Sequence, residues 1–183
     1  ANKLYGEDRD RNIVKSKNVG KIFDYSRVNM LDKINNLTTI LKSQMKPAHI
    51  KALASVYALI EPRRVEDYQK MVLEKIEIAD AKLLESANAK KLNYLLIDDE
   101  FNPIKMIFNA YKTNKNFKSQ EVILDSELQK FLKNHILENT LNVTKRNYLF
   151  GSNKFSTINK NFGADISKIY TSMFGVRITV NNI

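Results

Sequence analysis

The chain has 183 residues, the length of one ordinary domain, and can bury a full core without a disulfide or metal staple. Thirty Lys and Arg against 20 Asp and Glu leave a formal charge of +10 and a pI near 9.6, a balance that favours a polyanionic partner, usually a nucleic acid. The absence of cysteine excludes disulfides and Cys-ligated zinc, and the two histidines, His49 and His135, are far apart in sequence with no metal-ligand spacing. No apolar run approaches the ~18 residues of a membrane span and no apolar signal region opens the chain, so an intracellular or virion setting without a membrane is expected. Ala1 in place of Met, and Ile183 inside a β-prone run, read as cut ends of a longer protein.

Residues 1–26 are polar and basic without an apolar period, and are expected to form an arm. From Arg27 to Ser43, Met30, Ile34, Leu37 and Leu41 recur at helical spacing, which makes 1–44 a basic arm with a linker helix and 45–183 the main domain. Pro47 suits a first helical position, and Ile50, Leu53, Tyr57 and Ile60 follow on one face until Pro62 interrupts. Asp67, Tyr68, Met71 and Val72 suggest a third helix starting near Arg64.

The period then changes. Asn93 to Asp98, Lys105 to Tyr111 and Glu121 to Leu124 read as three strands of a small antiparallel sheet, with Phe101-Asn102-Pro103 as the first turn. Ser126 with Gln129 suggests a capping box for a helix whose stripe is Leu128, Phe131, Leu132 and Ile136. Asn147 to Phe150 reads as a short extended segment. Phe155, Ile158, Phe162, Ile166, Ile169 and Met173 then predict one long amphipathic helix, with Gly175 as its stop and a β-branched run, Val176 to Val180, after it. The fold class expected is α+β and mainly helical.

Three stretches carry candidate chemistry. In Glu61-Pro62-Arg63-Arg64-Val65-Glu66-Asp67-Tyr68, two arginines open a helix with acids close behind. A guanidinium can clamp two oxygens of one phosphate, a carboxylate can hold its rotamer, and helix N-terminal N–H groups favour the same anion. The span from Lys105 to Lys118 contains four lysines and no acid, and Lys112 or Lys115 on a hairpin tip can enter a DNA groove and donate a proton. Arg177 to Asn182 follows the last helix and says little alone. Arg63, Lys115, Lys118, Lys145, Arg146 and Arg177 are the further cations expected to contact DNA.

This order of parts over residues 45–183 resembles the catalytic domain of tyrosine recombinases, nearest to the integrase-like proteins of bacteriophages and large DNA viruses, some of which carry a Pro-Pro-x-Arg-x-x-Asp-Tyr stretch. Against the family's Thr-Gly-x-Arg-x-x-Glu box, Arg64 matches the arginine and Asp67 the acid, while Glu61-Pro62 replace Thr-Gly. Lys112 in Tyr-Lys-Thr matches the hairpin lysine. Ile178-Thr179-Val180-Asn181-Asn182-Ile183 aligns with the opening of Ile-Thr-x-His-x-x-Arg, which puts Asn181 at the histidine and ends the chain one position before the arginine. No tyrosine of the chain (5, 25, 57, 68, 94, 111, 148, 170) matches the family's nucleophile, and Asn cannot titrate as the histidine does.

The resemblance implies strand cleavage in duplex DNA by a tyrosine of the complete protein, through a 3′-phosphotyrosyl link and without metal or cofactor. Arg64 would stabilise charge on the non-bridging oxygens, Asp67 would orient Arg64, and Lys112 would protonate the departing 5′-oxygen. The complete protein would act as a tetramer on DNA, and the chain alone is expected to bind DNA without completing the reaction. One alternative is a recombinase-derived structural or DNA-organising protein, including a virion component, that has lost catalysis, as Asn181 suggests. Another is an unrelated basic RNA-binding or replication protein that stacks bases on Tyr94, Phe108 and Tyr111.

Overall fold

A computed structural model describes residues 24–37, 45–61, 63–78, 91–111 and 119–183, the side chain of Asn182 excepted, and has the helices and sheet of an α+β fold. Helix α1, Arg27–Asn35, starts where the Ser26 hydroxyl accepts from the Asn29 backbone N–H, and it buries Met30 and Ile34. It stops at Asn35, short of the Ser43 that the periodicity suggests, and Leu41 lies outside the described residues. Helix α2, Pro47–Ala58, begins on its proline and is buried nearly all round, from His49 to Tyr57. Met30, Ile34 and Leu37 join the same core as α2, so the linker helix packs as part of the main body.

The third helix departs from the sequence reading. Helix α3 is only Val65–Gln69, and Met71–Lys75 is strand β1. The sheet has four strands, not three, in the order β1-β2-β3-β4, with β2 at Asn93–Ile97, β3 at Pro103–Phe108 and β4 at Gln120–Ile123. It is mixed rather than antiparallel: β1 runs parallel to β2, with Met71 beside Asn93, and the other pairs are antiparallel. Val72, Leu73 and Glu74 fit a helix or a strand equally by local preference, and the backbone bonds offered by β2 decide for the strand. At the β2–β3 turn the Asp98 carboxylate accepts from the N–H groups of Glu100 and Asn102, and Phe101 takes φ 60°.

Alternation along β2 divides the apolar residues between two faces. Leu95 and Ile97 face the main core with Met71, Leu73, Met106 and Phe108, while Tyr94 and Leu96 meet Val72 and Ile107 on the other side. The second face is covered by Ile76, Leu92 and Tyr148, the last of which bridges to Val72.

Helix α4, Ser126–Glu138, buries the expected stripe, but its cap is Asp125, which accepts from Glu127 and Leu128, and Ser126 is already helical. Helix α5 is Phe162–Phe174 and stops at Gly175 with φ +69°, a left-handed cap that glycine adopts without a Cβ penalty. Phe155 and Ile158 are not part of it. Asn153, Lys154 and Phe155 have φ of 48°, 56° and 65° in a tight turn closed by the Ser152–Thr157 bridge, so their helical spacing is coincidental. The run after Gly175 forms no strand but a 3-10 turn, Val180–Asn182.

The histidines that are distant in sequence meet inside this core. Their ring centroids are 4.8 Å apart, edge to face, among Phe150 and Phe155. Among the described residues no group of His, Asp and Glu could hold a metal ion, and no helix is long and apolar enough to cross a membrane.

Candidate functional site

The arginine pair sits on the turn that enters α3, and three contacts hold that turn. The buried Tyr68 hydroxyl donates to Val56 O of α2 at 3.0 Å. Gln69 Nε2 donates to Asn159 O at 2.6 Å. At Gly163, α3 and the C-terminal segment both close on α5: a Cβ there would lie 3.4 Å from Val65 Cγ2 and 3.7 Å from Val180 Cγ1. These are ordinary van der Waals distances, so the two valines pack directly against α5 at this position.

The C-terminal segment is held by two hydroxyls one turn apart on α5. Thr171 Oγ1 accepts from Ile178 N at 2.9 Å and donates to Ile178 O, and Ser167 Oγ accepts from Val180 N at 2.9 Å while donating to Gly163 O. Ile178 is buried, and Asn181 is left exposed one residue past the clamp.

These elements enclose an open cleft of about 410 Å³ lined by Arg63, Arg64, Val65, Glu66, Val180 and Asn181. The geometry therefore brings together three of the residues singled out in the sequence, from opposite ends of the domain. A larger groove of about 540 Å³ opens near Asn35, Lys51, Phe131 and Leu137, but it holds none of them.

The two arginines differ. Arg63 is half-buried, its guanidinium carbon 3.8 Å from the centre of the Phe108 ring and its Nη2 donating to Gln120 Oε1 at 2.8 Å. Arg64 is exposed, and its side chain makes no hydrogen bond or ion pair among the described residues. Among the described residues it is the free cation of the pair, with five guanidinium donors available to an anion.

Asp67 supports Arg64 through the backbone rather than through the guanidinium. No ion pair joins them, but Asp67 N donates to Arg64 O at 3.0 Å. Burial pushes the Asp67 carboxyl above the usual carboxylate range, against the lowering pull of Arg63, the Arg64 N–H and the Arg64 charge.

Compared with protein-family models, curated proteins and solved structures, the chain matches none of them.

Lys112, Lys115 and Lys118 lie outside the described residues, as does Pro62. The strands flanking that lysine segment are described, and Gln120 at the base of β4 is the residue bonded to Arg63. Lys145 and Arg146 are exposed, but the antiparallel bridge of Tyr148 to Val72 runs them toward the Lys75 end of β1, away from the cleft beside its Met71 end. Arg177 is exposed beyond α5 and makes no hydrogen bond or ion pair among the described residues. The sequence reading missed Phe108, Gln120, Ser167 and Thr171 as supports of this site. The i, i+4 spacing of Ser167 and Thr171 on the polar side of α5 was the one available signal.

Proposed function

We propose that this chain binds duplex DNA through the Arg63–Arg64–Asn181 cleft, as the DNA-gripping portion of a tyrosine-recombinase-like catalytic domain. The observation that carries the reading is the convergence, on one open cleft, of a residue from the far end of the chain with an arginine whose side chain has no partner among the described residues, in a protein of net charge +10. In that role Arg64 donates to the non-bridging oxygens of a backbone phosphate, Arg63 adds a fixed second charge, and Asn181 supplies a neutral hydrogen bond. Strand cleavage would belong to the complete protein, with a tyrosine attacking that phosphate and Lys112 protonating the departing 5′-oxygen.

Asn181 also favours a second reading, in which the DNA grip persists without catalysis, because an amide does not titrate near neutral pH and so cannot serve as a general acid or base. Base stacking on the sheet has less support: Tyr94 is 4% exposed and Phe108 is fully buried, with Arg63 packed over the latter.

The test is fluorescence anisotropy of the full chain with a labelled duplex across a salt series. The expected result is an affinity that falls steeply with salt, and an Arg64→Ala variant weaker on every sequence with the log–log slope reduced by about one. No binding at low salt, or an Arg64→Ala variant with unchanged affinity and slope, overturns the reading.

A further inference from the structure

We infer that Asn93 is a positioning residue, whose buried amide ties the arginine turn to the stem of the β3–β4 hairpin and so holds Arg64 at the cleft. The functional half of this inference rests on the DNA-binding reading above.

Asn93 opens β2 on the core-facing side, in line with Leu95 and Ile97, and is fully buried. An amide at such a position is costly unless every polar atom finds a partner. Here each does. Oδ1 accepts from Asn109 N at 2.8 Å and Ala110 N at 2.7 Å, the first residues beyond β3. Nδ2 donates to Asp67 O at 2.6 Å and reaches Ala110 O at 3.5 Å. One side chain therefore uses its full hydrogen-bonding capacity to join two segments that share no strand pairing.

The connection continues to Arg64. Asp67, whose carbonyl Asn93 holds, donates its own backbone N–H to Arg64 O at 3.0 Å. On the stem side, Ser119 Oγ donates to Asn109 Oδ1, and Gln120 accepts from Arg63. The arginine turn is thus fastened to β3 through Asn93 and to β4 through Arg63. A cation that must meet a phosphate gains from being held before the anion arrives, because less side-chain and backbone freedom is lost on contact. Asn93 touches no ligand in this scheme and acts through Asp67.

Asn93→Asp separates the two arms. It keeps the acceptor for Asn109 N and Ala110 N, but it removes the donor to Asp67 O and sets an anion against that carbonyl. Amide hydrogen exchange of the full chain without DNA is expected to quicken about tenfold or more at residues 64–68, with Asn109, Ala110 and α4 unchanged. Duplex affinity by anisotropy is expected to fall about tenfold in the chain bearing Arg64, and less than about twofold once Arg64 is already alanine. Exchange that rises equally throughout the molecule, or an affinity loss of the same size in both backgrounds, overturns the inference. If Asn93→Asp does not fold, Asn93→Ser, which shortens the reach to both segments without adding charge, is expected to quicken exchange at residues 64–68, 109 and 110 with α4 unchanged, and its affinity loss is read in the same two backgrounds. Absence of duplex binding by the unmodified chain overturns the DNA reading and the functional half with it, while the exchange pattern still decides whether Asn93 links the two segments.

Discussion

Mild acid is expected to weaken this fold through the paired histidines in its core. His135 Nε2 donates to Leu149 O at 2.6 Å, and Nδ1 accepts from Asn139 Nδ2 at 3.0 Å, so the ring is a neutral tautomer with both nitrogens engaged. A proton on Nδ1 would set two donors face to face. His49, packed 4.8 Å away, has a buried Nδ1 without a hydrogen-bond partner. Burial lowers His135 to about 4, against a raising hydrogen bond to Leu149, and burial followed by repulsion from His135 lowers His49 to about 3.

Both folded values lie below the ordinary value of 6.5, so the unfolded chain binds more protons, and stability is lost as pH falls from about 6.5 toward these folded values. At pH 5 an unfolded histidine is about 97% protonated while each folded one stays largely neutral, which removes about 2 kcal/mol per ring and about 4 kcal/mol for the pair relative to pH 7.5. Asp24, Asp98 and Asp125, held low by hydrogen bonds that outweigh desolvation, give way only under stronger acid. Urea unfolding followed by circular dichroism at pH 7.5, 6.5, 5.5 and 5.0 measures the loss, and a His49→Leu variant should show about half of it. A free energy that stays flat or rises between pH 7.5 and 5.0 would refute the buried-pair account.

Two further outcomes follow from the geometry. Ser167→Ala with Thr171→Val removes the hydroxyls that accept from Val180 N and Ile178 N, so tryptic cleavage after Arg177 should quicken about tenfold while α5 persists; an unchanged rate would show that the clamp does not hold the segment. Gly151→Ala should cost about 2–4 kcal/mol in urea unfolding, because its Cβ would lie 2.6 Å from Thr157 O and 2.9 Å from Tyr148 Cβ, whereas Gly175→Ala, in open space at φ +69°, should cost only about 1 kcal/mol. The reverse order would contradict the packing around the turn of residues 152–157.

What the sequence by itself determined was whatever depends on neighbours along the chain. The stripe of α4, the proline start of α2 and the glycine stop of α5 were all legible, because helical period and capping are local rules. The arginine pair was legible too, as cations beside a helix-breaking proline. Only the tertiary structure decided that Met71–Lys75 is a strand, that Phe155 and Ile158 leave the helix whose spacing they share, and that His49 meets His135. The same holds for the site: Arg64 and Asn181 share a cleft because Val65 and Val180 both pack on α5 beside Gly163, and Asn93 reaches Asp67 because β2 lies beside β1. Apart from the turn that takes Phe155 out of the helix, which the Ser152–Thr157 bridge closes locally, these outcomes turn on hydrogen bonds and packing supplied by distant segments, and no local window of residues contains them.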